Sequence, residues 1–133
     1  MGNELPPNWV TCSLGDVIKV QNGYAFPSKE FQTDGVPLIR QSNLGGNTAS
    51  LEKCVYLSPR WLEEKPEFTV HKNDVLIGMS GSVGKLCVYD LEKPALQNQR
   101  TGKIVPRSTE YIEWRFLLDF NRFYHLFPSF KIR

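Results

Sequence analysis

Asp74-Val-Leu-Ile-Gly-Met-Ser-Gly-Ser-Val-Gly-Lys-Leu-Cys-Val-Tyr-Asp90, a short connection, and then Ala95-Leu-Gln-Asn-Gln-Arg-Thr-Gly-Lys-Ile-Val-Pro106 form the stretch on which the fold turns. Residues 75–79 and 86–89 are short apolar runs rich in β-formers. Between them Gly78, Gly81 and Gly84 supply backbone freedom at low steric cost, so two strands joined by a flexible turn are expected. Cys87, inside the second run, is expected in the core. Gln97, Asn98, Gln99 and Arg100 then crowd amide and guanidinium groups ahead of a β-like segment over 101–105. These groups suit the reading of base edges, with Asn or Gln bidentate to adenine and Arg bidentate to guanine, or, for Gln97 and Asn98, the satisfying of buried backbone groups.

The chain outward from this stretch reads as an ordered series of short elements. Residues 1–7 form an extended lead-in fixed by Pro6 and Pro7, with Trp9 as its anchor. Ser13-Leu14-Gly15-Asp16 has capping-box spacing, which predicts a helical turn ahead of a strand over 17–21 that Asn22-Gly23 breaks. Residues 24–34 read as a long surface loop pinned by Tyr24, Phe26 and Phe31. A strand over 36–40 leads into Gln41, Ser42 and Asn43. Ser42 and Asn43 suit either a binding role or a self-bonded turn, and Arg40 with Gln41 favours binding. After a strand over 54–57, Ser58-Pro59 opens a short helix that Pro66 stops; Trp61 and Leu62 dock it, while Glu63 and Glu64 face water.

At 133 residues and 41% hydrophobic, the chain is expected to form one domain with a core that needs neither metal nor disulfide. Cys12, Cys54 and Cys87 are odd in number, widely spaced and without a Cys-x-x-Cys pair, as for thiols in a reducing cytoplasm. Neither a signal peptide nor an apolar run long enough to span a membrane is legible. The net charge of +2 conceals an asymmetry: residues 1–84 carry 7 Lys/Arg against 9 Asp/Glu, a net of −2, and residues 85–133 carry 9 against 5, a net of +4. Positive potential in the half holding Gln97 to Arg100 is compatible with nucleic acid and equally with a solvated basic face.

The order of these pieces resembles a target recognition domain from the specificity subunit of a type I restriction-modification system. The resemblance rests on the Asp-Val-Leu strand, the Ser-Gly-Ser-Val-Gly-Lys turn, the second apolar strand and Gln97-Asn98-Gln99. Leu5-Pro6-Pro7-Asn8-Trp9 with Leu14-Gly15-Asp16-Val17, and Gly35-Val36-Pro37-Leu38-Ile39-Arg40-Gln41-Ser42-Asn43-Leu44, also resemble that domain's opening and next strand. It covers about the first 107 residues. It implies binding of double-stranded DNA by a chain that does no chemistry and needs no cofactor. In the complete complex the modification (methyltransferase) subunits use S-adenosylmethionine, and a restriction subunit hydrolyses ATP and cuts. The chain has one such domain without the spacer helices, so residues 1–133 are expected to be a single recognition domain cut short at its C-terminal end.

The expected fold class is therefore α+β: a twisted, mostly antiparallel or mixed, barrel-like sheet with short helices, long polar loops and one longer C-terminal helix. Arg40, Gln41, Asn43, Gln97, Asn98, Gln99 and Arg100 are the base-edge candidates, and Ser80, Ser82 and Lys85 the backbone candidates. Two other functions stay open: a protein-interaction module on the same scaffold, and a small hydrolase using Ser82 and Lys85.

Enzyme motifs find little support. Gly84-Lys85 lacks the earlier glycine and following Ser or Thr of a P-loop, since Met79 and Leu86 stand there. Ser82-x-x-Lys85 lacks the helical geometry and companion motifs of penicillin-binding enzymes. His71 and His125 stand alone, without a metal-ligand or triad pattern. A helix over 110–127 is expected, capped by Ser108 or Thr109. One stripe of it, Ile112, Phe116, Phe120, Phe123 and Phe127, would pack on the sheet. Tyr111, Trp114 and Leu118 fall on nearly the opposite side, a face for self-association into a homodimer or for cover by the lead-in around Trp9.

Overall fold

The structure, a computed structural model, describes Pro6 and Pro7 and residues 13–80 and 86–107. It opens with one helical turn, α1 (Leu14–Val17), and a strand, β1 (Ile18–Asn22). Half of the expected capping box forms: the Ser13 N–H donates to Asp16 Oδ2 at 2.9 Å. That bond, together with the Ser13 side chain, holds the Asp16 carboxyl below its ordinary value.

The remaining strands are β2 (Val36–Ile39), β3 (Val55–Leu57), β4 (Thr69–Val70), β5 (Val75–Gly78), β6 (Leu86–Val88), β7 (Ala95–Gln97) and β8 (Thr101–Pro106). A second helix, α2 (Arg60–Glu64), lies between β3 and β4. Its start follows the Ser58-Pro59 signal, with the Arg60 N–H on Ser58 Oγ at 3.4 Å. Its end follows the stop signal, passing into a 3₁₀ turn at Pro66–Phe68.

These strands make two four-stranded sheets, ordered β1-β8-β5-β6 and β3-β2-β7-β4. The first is antiparallel throughout, and the expected hairpin is its β5–β6 pair, with Leu76 opposite Cys87. The second is mixed, because β2 and β7 run parallel. Isolated bridges tie loops in as well, Thr48 with Val88 of β6 and Tyr24 with Asn98 just beyond β7.

All four residues of β2 and of β5 are buried, and their alternating side chains serve different clusters. Leu76 and Cys87 of the first sheet meet Ile39, Val70 and Ala95 of the second in a shared core. Val75 and Ile77 point the other way, to Ile18, Leu86 and Ile104. Val36, Leu38 and Leu96 join Phe26, Leu57 and Trp61 on the opposite face of the second sheet. A strand covered on both faces reads as a continuous apolar run, as Val75-Leu76-Ile77 does.

The loop after β1 is pinned as the aromatic spacing predicts. Tyr24 stacks on Phe68 with centroids 5.4 Å apart, and Phe26 meets the Trp61 ring edge-on at 5.3 Å. The α+β expectation with a mixed sheet holds. Beyond the sequence reading, which assigns no strand to them, residues 69–70 form the edge strand β4 and residues 95–97 form β7 in the interior of the second sheet. Pairing with β2 and β4 decides β7, since three residues ending in an amide carry almost no strand signal of their own. The expected helix over 110–127, with Tyr111, Trp114 and Leu118, lies outside the described residues, as does Trp9.

Candidate nucleic-acid interface

Four strands bring their ends to one rim. In the parallel pair, Ile39 is in register with Gln97, so Arg40-Gln41 and Asn98-Gln99-Arg100 leave the second sheet side by side. In the first sheet Gly78 pairs with Thr101 and Asn22 with Gly102. Met79-Ser80 and Gly23-Tyr24 therefore emerge at the same end. Backbone hydrogen bonds sew the rim together: Met79 N–H to Arg100 O at 3.0 Å, Tyr24 N–H to Gln97 O at 3.2 Å, and Gln99 N–H to Tyr24 O at 2.9 Å. Gly23 is required at the crossing, because a Cβ there would sit 1.9 Å from the Asn98 carbonyl oxygen. Of the ten sequence candidates, the eight described ones all lie on or beside this rim, while Ser82 and Lys85 fall outside the described residues.

The eight do different jobs. Asn43, 1% exposed, accepts from the Arg40 N–H through Oδ1 and donates through Nδ2 to Ser50 O, both at 2.9 Å. Gln97, fully buried, donates through Nε2 to Gln21 O at 2.8 Å and to Thr101 O at 2.9 Å, tying β7 to β1 and β8. A side chain without exposed surface presents no edge to a base. The expectation of base contact is therefore corrected for these two, which shape the loops that carry the others.

Ser80 also changes role. Its N–H and its Oγ–H both donate to Gln41 Oε1, at 2.9 and 2.6 Å. A phosphate only accepts, so in this arrangement Ser80 has no donor for one, and it positions Gln41 instead.

Arg40, Gln41 and Asn98 are half-buried, and Gln99 and Arg100 are exposed. The Arg40 guanidinium lies 6.0 Å from the centroid of the Phe31 ring, a planar cation braced on an aromatic face. Among the described residues the buried side-chain atoms without a hydrogen-bond partner are Arg40 Nε, Gln97 Oε1 and Asn98 Oδ1, all three at this rim. Each such atom costs on the order of 1–3 kcal/mol of desolvation, so stability alone does not explain the arrangement. Arg100 takes a left-handed backbone with φ of 65°. Met79, 44% exposed, stands between the Arg100 and Ser80 contacts as the large apolar side chain that the sequence reading assigned simply to a strand. Its register at the end of β5, which exposes it, is a tertiary property.

The rim offers oriented donors and acceptors, two guanidinium groups and an apolar tip, all held by backbone ladders. Among the described residues no cluster of His, Cys, Asp or Glu could hold a metal ion, and no helix is long and apolar enough to cross a membrane. Fold and rim together define a two-sheet α+β domain with a cluster of hydrogen-bonding side chains at one end. The model of the family described as "Type I restriction modification DNA specificity domain" matches residues 6–130, and the chain belongs to that family.

Relatives agree. The chain is 35% identical over 126 residues to the type I restriction enzyme EcoBI specificity subunit of Escherichia coli, covering 92% of this chain and 23% of that protein. It is 27% identical over 119 residues to the MjaVIII specificity subunit of Methanocaldococcus jannaschii, covering 86% and 28%. The chain thus spans about a quarter of the length of these relatives. The HsdS subunit from Thermoanaerobacter tengcongensis shares the fold with a TM-score of 0.69 at 21% identity, covering 99% of this chain and 32% of that one. A chain from a structure of complex assembly and conformational transition of the type I R-M system gives 0.69 at 23% identity, covering 92% and 29%.

Proposed function

We propose that this chain is a DNA target recognition domain that binds double-stranded DNA at the rim, with Arg40, Gln41, Asn98, Gln99 and Arg100 directed to base edges. Ser82 and Lys85 serve the phosphate backbone. The observation that carries this reading is the convergence of these loops from four strand ends, each fixed by backbone hydrogen bonds. Reading base edges requires groups held in fixed relative positions, while phosphate contacts set register.

In this reading residues 1–133 work as one recognition unit and catalyse nothing themselves. They form part of a specificity subunit, as the relatives' names suggest, and assemble in the cytoplasm with modification and restriction subunits, as the resemblance implies. Self-association through Tyr111, Trp114 and Leu118 belongs to the same proposal. Light scattering on the chain and on Leu118→Glu tests it: a dimer lost in the variant supports it, and a monomer in both sinks it.

The principal experiment is selection of bound sites from a random duplex library. Enrichment of one short motif is expected. No enrichment at high protein concentration would remove the proposal.

A further inference from the structure

Gln41 begins the 3₁₀ turn Gln41–Asn43 that follows β2, and its amide is oriented by chemistry as well as by packing. The atom facing Ser80 receives a backbone N–H at 2.9 Å and a hydroxyl at 2.6 Å. A backbone N–H can only donate, so that atom is the carbonyl oxygen Oε1. An amide oxygen has two lone pairs, and two donors fill them. The other end of the amide is Nε2. Among the described residues nothing accepts from it, and Gln41 is only half-buried.

From this we infer that Gln41 is a donor-only reader, and that the base it selects is guanine. The inference rests on the DNA-recognition reading above and adds the chemistry of one position to it. An unconstrained glutamine recognises adenine by accepting from N6 and donating to N7 at once. Gln41 cannot accept, because Ser80 occupies its oxygen. An NH₂ group pointing outward meets two acceptors only on guanine, whose O6 and N7 both lie in the major groove. On adenine it meets N7 beside the N6 donor, on thymine a single O4 acceptor beside the methyl group, and on cytosine the N4 donor. Ser80 is thus a positioning residue for specificity, acting through Gln41 rather than on the DNA.

The test is site selection from a random duplex library with the wild-type chain, Gln41→Glu and Ser80→Ala. Gln41→Glu keeps an oxygen for both Ser80 donors and replaces the outward NH₂ by an acceptor. At one position the preference is expected to change from guanine to cytosine, whose N4 donates, by roughly 10-fold, with the rest of the motif unchanged. Ser80→Ala removes one of the two donors and frees a lone pair, so adenine should gain several-fold at that same position. This second variant carries the test if the first does not fold. Motifs identical in wild type and the folded variants would overturn the inference, as would adenine at the affected position in the wild type. If the wild type selects no motif at all, the recognition reading itself has failed. If it selects one that neither variant alters, only the role of Gln41 has.

Discussion

Arg100 occupies a backbone region that suits glycine, with φ of 65°, while two positions later Gly102 has no room for a Cβ, which would lie 2.5 Å from Val20 and 2.8 Å from Ile77. A left-handed arginine costs roughly 1–2 kcal/mol relative to glycine. Arg100→Gly should therefore raise the melting temperature by several degrees while weakening discrimination at one base pair, and Arg100→Ala should weaken discrimination without the gain. Thermal denaturation with site selection separates the two effects. Gln97 is the opposite case. Gln97→Ala removes the side-chain donor to the Gln21 and Thr101 carbonyls, the second of which keeps the Gly23 N–H at 3.1 Å, and should cost about 1–3 kcal/mol, seen as a lower urea midpoint, with the DNA motif of the folded variant unchanged. Both residues lie in one polar run that sequence reading offers to DNA, with Gln97 and Asn98 alternatively satisfying buried backbone groups. Composition identified amides suited to base edges. Burial, fixed by strand register, separates those that face outward from those that build the loop.

At the scale of elements, legibility followed how local the cause was. The β5–β6 hairpin, the α1 turn and both ends of α2 are legible from short apolar runs, capping residues and proline, all acting within a few residues. β7 was not, because its parallel pairing with β2 depends on a distant segment. The convergence of candidates was not legible either, since it follows from sheet order. The loop before β2 is latched to α2 by another long-range contact. Glu30 Oε2 receives Arg60 Nη2 at 2.5 Å and the Trp61 indole N–H at 3.2 Å. Chiefly the Arg60 hydrogen bond holds the Glu30 carboxyl below its ordinary 4.5. A folded-state value depressed below the unfolded one means that the latch stabilises fully above about 4.5 and is lost as pH falls through the folded value. The melting-temperature difference between wild type and Glu30→Gln should thus be present near neutral pH, shrink as pH falls below the ordinary 4.5, and diminish with added salt, because the pair is exposed. A difference that stays constant with pH would assign the latch to shape rather than charge.

For the whole molecule, charge bears on how the proposed DNA partner would be held. The rim proposed to read bases lies at one end of two sheets that share a core, and a net charge of only +2 supplies little long-range attraction for phosphate. Binding should therefore involve few phosphates. Each neutralised phosphate contributes about −0.9 to the slope of log affinity against log salt, so three or four contacts imply a fall of roughly 40- to 150-fold between about 50 and 200 mM salt. Lys85→Ala should reduce that slope by about 1 and weaken every sequence alike, the behaviour of a phosphate contact. Arg100→Ala should instead erase preference at one base pair while changing binding to unrelated duplex much less. Fluorescence anisotropy over a salt series, with a selected and a scrambled duplex, measures both slopes and their difference. An affinity that hardly responds to salt would point to an apolar protein interface, and equal losses on both duplexes for Arg100→Ala would move that arginine from bases to phosphate.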